Sequence, residues 1–268
     1  MTETRLVRIA LRLVSVLVLA FIYLPIVVLA VYAFNTSRIQ TWPPVGLTLN
    51  WFSEAAANPA VMRALTNSLL VASSATALAL VLGTLAALAV QRYSFFGRQT
   101  ISFFLVLPIA LPGVVSGIAL RTTFTTFGVD LGLMTIIVGH ATFCVVVVYN
   151  NVIARLRRLP RSAEEASADL GADSFTTFRR VTLPAIGTAL LSGGLLAFGL
   201  SFDEIIVTIF TAGAGTQTIP MWIYSAIQRP NELPVVNVVA LVLIVISVIP
   251  VYIAQRLSGE ATAGGRHV

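Results

Sequence analysis

Lysine is absent from this 268-residue chain, and charge is scarce: 17 arginines and 11 acidic residues make up 10% of it. A soluble domain carries roughly 25% charged residues, so a water-facing globular fold does not suit this composition and a membrane-embedded one does. The missing lysine also excludes an ordinary phosphate-binding loop, in which a glycine-rich turn ends in that residue. The chain therefore carries no normal P-loop ATPase site. Its one cysteine, Cys144, lies inside an apolar run, so no disulfide framework or cysteine cluster forms within the chain. It reads as a small packing residue. The long apolar runs leave no short alternating strands of the kind an outer-membrane barrel needs. Clustered His, Asp or Glu ligands, which an integral membrane enzyme or a metal site would want, are also missing.

Apolar residues make up 57% of the chain. Six runs are long enough to span a bilayer at about 20 residues per crossing: approximately 13–34, 64–90, 100–120, 131–153, 185–212 and 234–255. Arg5, Arg8 and Arg12 precede the first. That run is too long for a signal-peptide core of about 7–15 residues, so it reads as an uncleaved first span. With the N-terminus inside, 13 arginines fall on the inner side (5, 8, 12, 92, 98, 155, 157, 158, 161, 179, 180, 256, 266) and 4 on the outer (38, 63, 121, 229). Positive charge marks the cytoplasmic side, so both termini are expected there. The net charge of +6 follows from this arrangement and gives no reason to expect a nucleic-acid partner.

Within the spans, Ala79, Gly83 and Ala87 share a helix face and suit close helix packing in lipid. Pro108 and Pro112 should break the third span. The outer loop 35–63 holds Trp42, Pro43, Pro44 and Trp51, aromatics suited to the membrane interface. The stretch 213–233 reads as a turn followed by a short amphipathic helix. The Gly/Ala-rich tail 258–268 reads as mobile. His140, beside Gly139 in the fourth span, suits an interhelical hydrogen bond better than a proton relay.

The charged loop 154–184 separates two apolar spans. Ser162 precedes Glu165 by three residues, a capping-box spacing. Glu164 and Glu165 would oppose the helix dipole in the first turn, and Gly171 follows where a helix can end left-handed. A short helix over about 163–170, a turn at Gly171 and a second helix from near Ser174 are predicted, with Pro184 marking the start of the fifth span. In that span Asp203 and Glu204 are consecutive acids in an apolar segment. A helix begun near Ala185 puts Asp203 about 27 Å along it, in the outer part of the membrane. Ionisable groups at such depth face an aqueous path or a partner.

The loop closely matches the pattern E-A-A-x3-G-x9-I-x-L-P through Glu165-Ala166-Ser167, Gly171 and Val181-Thr182-Leu183-Pro184. Ser167 stands in place of alanine and Val181 in place of isoleucine. The pattern resembles the signature cytoplasmic loop of the membrane subunits of ATP-binding-cassette (ABC) importers. Tyr32-Ala33-Phe34-Asn35, Arg92-Tyr93-Ser94-Phe95, Gly139-His140-Ala141-Thr142-Phe143, Leu200-Ser201-Phe202-Asp203-Glu204 and Pro220-Met221-Trp222-Ile223-Tyr224-Ser225 look like the spermidine/putrescine branch of those permeases. The resemblance covers about residues 30–256.

It implies an all-α, six-span permease of the type I importer (MetI-like) architecture in the bacterial inner membrane. The chain would be a non-catalytic half of the path, coupled through Glu164, Glu165, Ala166, Gly171, Leu183 and Pro184 to an ATPase dimer that binds ATP and Mg. A second homologous permease, an extracytoplasmic solute-binding protein and membrane lipid complete the implied partners. Asp203 and Glu204 would line the passage, and Trp222 and Tyr224 could add cation–π contacts to an amine. The expected division is an N-terminal segment 1–12, a first span and outer loop 13–59, a core 60–256 containing the loop, and a tail 257–268. The alternatives are a permease for another small solute (amino acid, thiamine, anion or iron) and a self-sufficient secondary transporter, which would want inverted repeats and midplane charges.

Overall fold

The computed structural model describes residues 5–263. Among them the secondary structure is helical apart from one isolated bridge between Asn35 and Leu47. Five helical stretches are long and apolar enough to cross a membrane: Val7–Ala33, Pro59–Arg92, Leu133–Leu156, Ser174–Phe202 and Pro230–Ile249. The sixth expected span is a bent pair, Arg98–Ala110 and Gly113–Thr126, whose axes meet at 107°. The break falls at Leu111-Pro112, both extended. Pro112 lacks the N–H that would continue the ladder, and the residue before a proline is pushed out of the helical region. The break falls at Pro112, whereas Pro108 is carried inside the first helix of the pair.

The chain divides into two compact units. One comprises 1–62 and 222–245, the other 63–221 and 246–268. In the first unit, α1 (Arg5–Ala33) leads into a loop organised by Asn35, and α2 (Asn50–Ala57) follows. The Asn35 side-chain Oδ1 accepts the Val45 N–H at 3.1 Å, and the Asn35 backbone carbonyl accepts the Trp51 indole N–H at 2.7 Å. Trp51 is therefore a buried packing residue with the Arg38 guanidinium 5.1 Å from its ring centroid. Of the two loop tryptophans, Trp42, 76% exposed, keeps the surface position expected of an interfacial aromatic.

The second unit is built on α3 (Pro59–Arg92, entering it at Arg63), α4 (Arg98–Ala110), α5 (Gly113–Thr126) and α6 (Leu133–Leu156). After these come α7 (Ser162–Asp169), α8 (Ser174–Thr177), α9 (Leu183–Phe202) and α10 (Ile206–Thr211). Its core joins Ala79, Ala87 and Val90 of α3 to Cys144, Val148, Val152 and Leu156 of α6 and to Ile186 and Ala197 of α9. The crossings depend on small residues. A Cβ on Gly83 would stand 2.9 Å from the Val145 carbonyl oxygen, so α3 meets the α6 backbone directly. Close approach through small residues takes the place of hydrophobic driving force inside lipid. The face of Ala79, Gly83 and Ala87 thus serves packing, and Cys144 is buried with it.

The last two helices, α11 (Ile219–Ala226) and α12 (Leu233–Ala263), straddle the unit boundaries. The α12 backbone is helical through Ala263, so the helix covers 258–263, which composition alone reads as mobile; 264–268 lie outside the described residues.

Candidate functional site: a fastened loop helix and a broken fifth span

The predicted short helix exists as α7, shifted one residue toward the N-terminus at both ends. It ends in a Schellman arrangement: Gly171 N–H donates to the Ala168 carbonyl at 2.9 Å and Ala172 N–H to that of Ser167 at 3.1 Å. Gly171 sits at φ +82°, and a Cβ there would meet nothing within 4 Å. The requirement for glycine is conformational, not steric. The capping box does not form. Ser162 is already helical, the cap position falls on Arg161, and no side chain caps it.

Glu164 has a different task. Its Oε1 accepts Arg92 Nη2 at 2.5 Å and the Thr182 hydroxyl at 2.7 Å. One carboxylate therefore ties the end of α3, the loop helix and the approach to α9 together. Ser167 and Thr177 share a hydroxyl–hydroxyl bond of 3.0 Å, which fastens α7 to α8. Asp173 caps α8 by accepting the Thr176 N–H at 2.9 Å. Hydrogen bonds from Thr176 hold its carboxyl below the ordinary range.

Between α8 and α9 the helix widens into a π turn, Phe178–Thr182. Pro184, in the first turn of α9, cannot donate to a preceding carbonyl, and a wider turn accommodates that loss. The opposite side of α7 is open. Glu165, Ala163 and Ala166 are exposed, Leu170 is 89% exposed and Phe175 68% exposed. Leu183 is half-buried and Pro184 exposed. The sequence reading missed Arg92, Thr182, Ser167 and Thr177 as fasteners, and Leu170 and Phe175 as surface. In sequence terms Arg92 is an inside arginine and the first residue of the Arg92-Tyr93-Ser94-Phe95 segment, with nothing to link it to Glu164.

The fifth span departs from expectation. It is not one helix over 185–212: α9 ends at Phe202, Asp203 is its cap, and α10 begins at Ile206. The Glu204 carboxylate accepts the Val207 N–H at 3.0 Å, capping α10. That side-chain bond competes with a continuous ladder, which explains the break. Asp203 is exposed and, among the described residues, makes no ion pair. Arg229 binds Glu232 at 2.6 Å. Of the two aromatic candidates, Trp222 is 2% exposed and Tyr224 58% exposed, so only the tyrosine presents an open ring.

Residues 79–260 match the family of binding-protein-dependent transport system inner membrane components. The chain belongs to this family. It is 36% identical over 249 residues to the putrescine transport system permease protein PotI of Escherichia coli (strain K12), covering 90% of this chain and 88% of that one. It is 34% identical over 246 residues to the spermidine/putrescine transport system permease protein PotC of the same strain, covering 91% and 92%. Among solved structures, a bacterial ABC transporter that imports the acidic polysaccharide alginate superposes with TM-score 0.73 at 16% identity, over 96% of this chain and 99% of the other. That likeness establishes the type I importer permease fold.

Proposed function

We propose that this permease forms half of an ATP-driven import path for polyamines in the cytoplasmic membrane, coupled by α7 to an ATPase on a separate chain. The identity to two polyamine permeases over nine-tenths of the sequence carries the substrate reading. Asp203 supports it: an unpaired carboxylate at a helix break can replace water around a passing ammonium group. Tyr224, with its open ring, is the second candidate contact. The coupling reading rests on the two sides of α7. Its inner side is bonded to α3, α8 and the start of α9, and its outer side presents Glu165, Ala166 and Leu170 to a partner. A rigid helix fastened in this way transmits rigid-body motion to the spans.

A second homologous permease would supply the other half of the path, and an extracytoplasmic binding protein would deliver the solute. ATP and Mg belong to the ATPase chain. The arginine asymmetry supports a cytoplasmic position for α7 and for both termini.

The test is uptake by the complete transporter in proteoliposomes, offered labelled putrescine and spermidine beside amino acids, thiamine, iron and sulfate. ATP-dependent uptake confined to the polyamines is expected. Transport of another member of the panel in their place would overturn the substrate reading and leave the coupling reading standing.

A further inference from the structure

The break between α9 and α10 is bridged from the neighbouring helix by a single side chain. His140 of α6 is fully buried, with Nδ1 2.8 Å from Ser201 Oγ and Nε2 2.8 Å from Thr208 Oγ1. Ser201 lies two residues before Asp203 and Thr208 four after Glu204, so the ring reaches across the acid pair. The Thr208 hydroxyl has one proton and donates it to the Glu204 carbonyl at 2.9 Å. With that proton donated to the Glu204 carbonyl, Thr208 accepts from His140 Nε2–H and Nδ1 accepts the Ser201 O–H; the other tautomer reverses both bonds and keeps the same two contacts. In either tautomer the imidazole joins Ser201 of α9 to Thr208 of α10.

Two further contacts hold the same elements. Thr135 of α6 donates to the Thr211 carbonyl at 2.7 Å, and Cys144 Sγ reaches the Ala197 carbonyl at 3.4 Å. A Cβ on Gly139 would stand 3.1 Å from Val207, so the residue beside the histidine is small where α10 comes close.

We infer that His140 is a positioning residue for transport: through Ser201 and Thr208 it splints the broken fifth span against α6 and fixes the backbone that presents Asp203. Asp203 is the last residue held by the α9 ladder, through its N–H on the Gly199 carbonyl at 3.3 Å, and no helix continues beyond it; a rigid neighbour supplies the constraint on the far side of the break. The functional consequence rests on the proposed role of Asp203 in the path; the splint itself does not.

The test uses the complete transporter with Asp203→Cys as a reporter, read by the rate of labelling with a charged maleimide. The native thiol, Cys144, is buried, and the unsubstituted protein gives the background. Thr208→Val keeps the shape and removes the hydroxyl, whereas Thr208→Ser keeps the hydroxyl. Loss of one such interhelical bond corresponds to roughly a three- to twentyfold change in an equilibrium. The expected result is a labelling-rate change of that order in Thr208→Val and in His140→Ala, with Thr208→Ser close to the reporter alone. An unchanged rate in Thr208→Val, or equal changes in the Val and Ser variants, would overturn the splint. Uptake by Asp203→Asn is measured separately. Normal polyamine uptake there would sink the path role of Asp203 and leave the labelling result intact.

Discussion

At the scale of single residues, Glu164 and Gly171 do different work in the same short motif. Glu164 accepts bonds from Arg92 and Thr182 with little exposure to water, so each of those bonds is charge-assisted and worth about 1.5–3 kcal/mol. Thr182→Val should therefore loosen the loop: thermal unfolding of the purified transporter shifts down, and ATP hydrolysed per solute imported rises. A transporter unchanged on both counts would show that the bond is not part of the fastening. Gly171 is needed for its positive φ alone. Asparagine visits that region readily, and a branched residue pays about 1–2 kcal/mol to do so. Hydrolysis-to-uptake ratios should rank Gly171 below Gly171→Asn and Gly171→Asn below Gly171→Val. Equal ratios across the three would remove the conformational argument.

At the scale of elements, the loop helix shows how far the sequence could be read. Its glycine turn followed from residue spacing, because that helix end uses local chemistry; its start did not, since the capping box that the spacing suggests does not form. Its fastening did not follow, because Arg92 lies 72 residues from Glu164 and only the fold brings them together. The fifth span shows the converse. Its apolar composition argued for one helix, but α9 stops at Phe202 and the Glu204 carboxylate takes the Val207 N–H in the first turn of α10. The acids themselves were legible as unusual, and their effect on the backbone was not. The bent pair α4–α5 was legible as a break because proline acts locally.

The exposed face of α7 yields the element-scale prediction. Leu170→Glu places a charge on a residue that touches little of this chain. Membrane insertion and thermal stability should be kept, while co-purification of the ATPase subunit falls. An ATPase that still co-purifies at the wild-type ratio would locate its docking surface elsewhere.

At the scale of the whole molecule, the arginines set a direction. The excess of 13 over 4 on one side predicts that alkaline phosphatase fused at the C-terminus is inactive and green fluorescent protein fused there is fluorescent. The reverse pattern would invert the topology and put α7 out of reach of ATP. The long first helix is almost wholly exposed along its apolar length, as a span facing lipid or a partner chain would be. The most direct measurement is putrescine uptake into vesicles containing this chain alone, or this chain with its ATPase, second permease and binding protein, each with and without ATP. The account predicts uptake only by the complete assembly and only with ATP. Uptake by this chain alone, without ATP, would contradict it.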